Sequence, residues 1–105
     1  MGPDLTIETV RAGGTTMLTL AGEIDLLTST QLNRELEIVL DHVPPPERLC
    51  LDLADVSFMD TTGVAVLLKG RRRALELGSR FVVSSTSPTI TRLFEITGLA
   101  GLLTE

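Results

Sequence analysis

The stretch LCLDLADVSFMDTTGVAVLL, residues 49–68, changes character near its middle. Residues 48–56 form a mostly apolar run of the kind a strand buried in the middle of a sheet requires. From residue 61 to about residue 77 the pattern is helical, and Gly78 supplies a stop in the position where a left-handed residue commonly ends a helix. Asp60 stands at the joint as an N-cap, its carboxylate placed to accept from the first free amides. A strand running into a capped helix is half of a βα unit, and the rest of the chain can be read outward from it.

On the N-terminal side, residues 5–11 alternate apolar and polar side chains, as a half-buried strand does. Gly13 and Gly14 offer a turn that tolerates positive φ, and residues 17–24 form a second strand, so the chain opens with a hairpin. In DLLTST, residues 25–30, Thr28 and Gln31 have the spacing of a capping box. Leu32, Leu36, Val39, Leu40 and Val43 then recur as one apolar stripe of a helix. The prolines at 44–46 stop it.

On the C-terminal side, residues 80–85 read as a short buried strand. Ser87 and Pro88 open a third helix as N-cap and N1. Ile90, Leu93, Phe94 and Thr97 share its inner face, and Gly98 ends it. Residues 99–105 have the length and apolarity of a short edge strand. The order is β-β-α-β-α-β-α, with an optional final β. It predicts an α/β sandwich: a mixed sheet of four to five strands with helices packed against it. At 105 residues the chain is expected to be one domain over 1–105.

Composition narrows the function. The formal net charge is −5, tryptophan and tyrosine are absent, and only three phenylalanines occur. Direct nucleic-acid binding wants basic and aromatic side chains, so it is not expected. No apolar run approaches the roughly 20 residues of a membrane helix. The first ten residues lack the pattern of a secretory signal, which points to a cytoplasmic protein without membrane insertion. The single cysteine, Cys50, sits in an apolar strand and reads as a buried inert thiol. The single histidine, His42, reads as a surface residue near a helix end.

The chemistry concentrates at Asp60, Thr61, Thr62 and Gly63. One side chain suffices to cap a helix, so Asp60 leaves two adjacent hydroxyls in the first turn without a capping role. A phosphate carried there would meet unpaired N–H groups and the positive end of the helix dipole. It would add about −1.5 to −2 charges at pH 7. Local physics alone favours an ordinary capped helix start, with Gly63 serving close packing of helix on sheet.

Enzymatic readings fare worse. A threonine nucleophile has no base beside it in sequence. Asp25, Asp55 and Asp60 stand where strand ends and helix starts attract aspartate anyway, so no metal site is expected. No GxxxxGK[ST] loop is present, and no cofactor is implied. Response-regulator receivers resemble the chain in placing an acid at a strand end. They also carry acids after the first strand and a lysine after a late one, and neither is found here.

The stretches 20–36, 49–68 and 92–103, at these separations, resemble the STAS domain of bacterial anti-sigma factor antagonists. The likeness runs from Leu5 to about Leu103. It implies a STAS-like fold and a non-enzymatic protein that binds an anti-sigma factor, often itself a serine/threonine kinase, and so frees a sigma factor for transcription. The resemblance places the phosphoacceptor at Thr61, with Thr62 as the alternative. Asp25, Asp60 and Gly63 fall beside them in the partner-binding surface. A phosphatase would restore the unmodified form, and the family leaves room for a weak homodimer. Serine is the usual acceptor in the sporulation and stress antagonists, and threonine is common in related stress-complex members. The other reading that the resemblance allows is a STAS scaffold subunit, in a stress-signalling or transporter complex, whose hydroxyl pair is not modified.

Overall fold

The computed structural model describes residues 5–103. The order of elements is β1 (Leu5–Ala12), β2 (Thr15–Ile24), α1 (Thr28–Leu40), β3 (Arg48–Met59), α2 (Thr61–Glu76), β4 (Arg80–Thr86), α3 (Pro88–Thr97) and a 3-10 turn at Ala100–Leu103. The four strands lie side by side in chain order. β1 and β2 are antiparallel, while β2, β3 and β4 run parallel. Because the parallel strands are neighbours, each must be reached by a helical crossover, and α1 and α2 supply the two.

Two residues join β1 to β2. Ala12 pairs with Thr15, and only the first loop residue, Gly13, has positive φ, at 62°. A side chain is strained there and glycine is not, which is why this tight turn forms at the glycine pair.

The core follows from strand alternation. Leu18 and Leu20 on β2, Leu49, Leu51 and Leu53 on β3, and Phe81 and Val83 on β4 are buried in one cluster. The same cluster holds Leu32, Leu36 and Leu40 of α1, Leu67 and Ala74 of α2, and Ile90 and Phe94 of α3. Cys50 is buried and free but stands outside that cluster, in register with Met17 and Val82. The two crossover helices pack closely because α2 turns small residues inward. A Cβ on Gly70 would come within 2.9 Å of Leu36 Cδ1.

Several expectations are corrected. The final segment from Ala100 to Leu103 is a 3-10 turn and not a fifth strand; residues 104–105 lie outside the described residues. α1 ends at Leu40, so Val43 is exposed beyond it and off the apolar stripe. Thr97 is also exposed, and its hydroxyl donates to the Leu93 carbonyl at 2.7 Å, a local bond that needs no place in the core. β3 runs on to Met59, so the acid follows the strand directly. Thr28 and Gln31 form no capping box: Gln31 donates instead to the Leu5 carbonyl at 3.2 Å.

Phe94 is fully buried and joins α3 to the core. Phe94→Ala is expected to cost about 3–5 kcal/mol of unfolding free energy, the usual range for emptying an aromatic core site. Urea denaturation measures it, and a loss below about 1 kcal/mol would mean that α3 is not seated as described.

Candidate functional site at the strand ends

β2, β3 and β4 deliver their C-terminal ends to one edge of the sheet, and a helix starts at each. In open α/β sheets this is the edge where ligands and partners are most often received. Asp25, Asp60 and Ser87 are the first residues beyond the three strands. The first two stand together: Ile24 pairs with Met59, and the Asp60 amide donates to the Ile24 carbonyl at 3.1 Å.

Asp60 caps α2 with one oxygen. Its Oδ1 accepts from the amides of Thr62 at 2.9 Å and Gly63 at 3.3 Å, and also from the Thr62 hydroxyl. The Thr62 hydroxyl bond leads the causes that hold the Asp60 carboxyl below its ordinary value of 3.8; the charge of Asp25 works against them. Asp25 does the same for α1. Its Oδ1 accepts from the amides of Leu27 and Thr28, each at 3.0 Å, while the Asp25 amide donates to Thr28 Oγ1 at 2.8 Å. This is a reciprocal capping box, one turn earlier than the Thr28–Gln31 spacing suggests. The backbone bond from Thr28 leads the causes that lower the Asp25 carboxyl as well.

The two threonines are thereby distinguished. Thr62 is half-buried, and its hydroxyl is committed to Asp60. Thr61 is exposed, and its hydroxyl makes no hydrogen bond among the described residues. Gly63 is buried against the two strand ends: a Cβ there would stand 2.7 Å from both Ile24 Cγ2 and Met59 Cγ. The expectation that a phosphate on the first turn would find unpaired amides is narrowed: the Thr62 and Gly63 amides serve the Asp60 carboxylate and the Val64 amide the Asp60 carbonyl, which leaves the Thr61 amide. Asp55 is exposed on β3, paired in register with Ala21, and is not brought to the site. Among the described residues, no three His, Cys, Asp or Glu side chains converge.

Apolar side chains around the site escaped the sequence reading. Leu26 and Leu27, directly after Asp25, are 68% and 76% exposed, and Phe58, two residues before Asp60, is 46% exposed. The available signal was the leucine pair itself, which falls between the cap and the apolar stripe of α1 and belongs to neither.

Comparison with known proteins places this geometry. The family model described as "Mlab, STAS domain" matches residues 7–104. The anti-sigma-B factor antagonist of Listeria monocytogenes is 36% identical over 84 residues, which are 80% of this chain and 72% of that protein. A crystal structure of an anti-sigma factor antagonist from Mycobacterium paratuberculosis superposes with a TM-score of 0.83 at 24% identity, covering 97% of this chain and 86% of the other. The Bacillus protein SpoIIAA aligns at 21% identity over 94% of this chain in both its forms. Its unphosphorylated form gives a TM-score of 0.80 over 86% of that chain, and its phosphorylated form 0.74 over 89%. At these identities the structural matches establish the fold.

Three outcomes follow, two from the strand-end geometry and one from the contact between α1 and α2. In Gly63→Ala, helix propensity gains up to about 1 kcal/mol, yet the new methyl strikes a fully buried, β-branched Ile24. The clash should win, with a net loss of about 1–3 kcal/mol in urea denaturation. Gly70→Ala meets only the flexible end of Leu36 and is expected to stay within about 1 kcal/mol of wild type. For Asp60, a folded carboxyl lowered from 3.8 stabilises the fold above that value, and the contribution is lost as pH falls through the lowered one. Asp60→Asn keeps a capping oxygen without the charge. Its acid-unfolding curve should therefore fall less steeply than wild type below about pH 4. Parallel curves would remove the charge from the account.

Proposed function

This chain belongs to the STAS-domain family, and we propose that it is an anti-sigma factor antagonist switched by phosphorylation of Thr61. It works by binding, with no catalytic step of its own. The observation that carries the reading is the division of labour between the threonines. Thr62 is tied to the capping carboxylate, and Thr61 is the exposed, uncommitted hydroxyl beside it.

In the unmodified state the strand-end surface receives an anti-sigma factor. Leu26, Leu27 and Phe58 offer apolar area that the domain itself leaves uncovered, and burying such area on a partner is favourable. The partner is a serine/threonine kinase that transfers phosphate to the Thr61 hydroxyl; Asp25, Asp60 and Gly63 shape the surface it grips. The new charge stands beside two carboxylates held in their ionised form. Because Asp60 already occupies the amides of Thr62 and Gly63, the phosphate feels a weakened pull from the helix end. It stays at the surface, where it repels an acidic partner and lifts a flat one. A phosphatase reverses the step.

No helix among the described residues is long and apolar enough to cross a membrane, which accords with the cytoplasmic setting this function needs.

Incubation with the kinase-type anti-sigma factor of the same genome and ATP, followed by peptide mass spectrometry, should place phosphate on Thr61. Phosphate on Thr62 alone would overturn the site. Thr61→Ala is expected to bind that partner with near wild-type affinity and to resist release by ATP. Thr61→Glu should bind at least about tenfold more weakly, as for a charge placed against an interface. If both variants bind and release like wild type, the chain is a STAS scaffold subunit without a switch.

A further inference from the structure

α2 carries two stripes. The inner one, Gly63, Leu67, Gly70 and Ala74, is buried. On the opposite side, Thr61, Ala65, Leu68, Arg72 and Leu75 recur at intervals of four and three, and all five are exposed. With 3.6 residues per turn they form one line, running about 21 Å from Thr61 to Leu75. A helix that packs only within its own domain turns a polar face outward. This one presents two leucines, 37% and 55% exposed, with an arginine between them.

Charge use on the same helix is divided. Lys69 reaches Glu37 at 3.8 Å and Arg73 reaches Asp41 at 3.7 Å, so these two cations are spent across the contact with α1. Arg71 and Arg72 make no ion pair among the described residues, on a chain of net charge −5. Interface cores are typically apolar with arginine enriched, and this outward line has that composition.

We infer that the outer stripe of α2 is the second part of the docking surface that begins at Thr61. Its occupant is the same anti-sigma factor, which must present an apolar strip edged by carboxylates to meet Leu68, Leu75 and Arg72. The inference rests on the function proposed above. A second copy of the chain fits less well: parallel stripes bring arginine toward arginine, and antiparallel ones centred on Leu68 set Arg72 against Ala65, with no carboxylate in the stripe to meet it. The continuity also has a mechanical consequence. A phosphate at one end of a line that the partner covers acts on the edge of a long contact, where one group can start its release.

The test uses the full chain and the purified kinase-type anti-sigma factor of the same genome, with affinity and rates measured by surface plasmon resonance. Leu68→Ser/Leu75→Ser should weaken binding at least about tenfold, mainly through faster dissociation. Arg72→Glu should slow association and reduce its dependence on salt. Val10→Ser, an exposed change on β1, should leave binding unchanged, and all variants should keep the wild-type thermal midpoint. If the stripe variants bind within about twofold of wild type while Thr61→Glu does not bind, the stripe is overturned and the proposed function stands. If the wild-type chain itself does not bind, both are overturned.

Discussion

A single carboxylate oxygen holds the working end of this molecule together. Asp60 Oδ1 accepts from two amides and one hydroxyl of the first turn of α2, while the Asp60 amide ties the end of β3 to the end of β2. Remove the carboxylate and the helix loses its cap and Thr62 loses its partner, while the backbone tie between the two strand ends remains. Gly63 completes the arrangement from below, since the helix can sit on Ile24 and Met59 only where no side chain intervenes. The clasp and the close approach position Thr61 as the outermost group of the turn.

The reversible mark proposed at Thr61 has an electrostatic rationale. A bare helix N-terminus attracts anions and would hold a phosphate. Here the attraction is already satisfied by Asp60, and a second capped helix stands alongside with its own carboxylate, Asp25. The two acids are close enough that Asp25 opposes the ionisation of Asp60, yet the pKa of each stays below its ordinary value because local donors outweigh desolvation at both and the repulsion at Asp60. A third anionic group at Thr61, as proposed, would meet a turn whose Thr62 and Gly63 amides are already taken. On that proposal the added charge changes the surface shown to a partner.

Much of this was legible in the sequence, for reasons that can be located. The apolar run at 49–53, the helical stripe at Leu32, Leu36 and Leu40, and the Ser87-Pro88 start are signals set by strand burial, helical period and local capping. All three survive folding unchanged. The start of α1 misled because Asp25–Thr28 and Thr28–Gln31 share the same spacing, and only the position of the β2 end decides between them. The last segment misled because four to six apolar residues after a glycine suit a strand or a single 3-10 turn equally. The roles of the two threonines were not separable from sequence. Adjacent hydroxyls on a first turn differ only in the direction each faces, and that direction depends on which oxygen of Asp60 is already engaged.

The choice of threonine over serine fits the same geometry. A β-branched side chain has restricted rotamers, although threonine in a helix divides between two, so the methyl of Thr61 leaves its hydroxyl fewer directions than serine would. At Thr62 the restriction serves structure by holding the hydroxyl on Asp60. At Thr61 the hydroxyl is exposed and makes no hydrogen bond among the described residues, which suits the presentation that the proposed function asks of it. Two copies of one residue type thus do opposite work within a single turn. What separates them is the lone acid that precedes both.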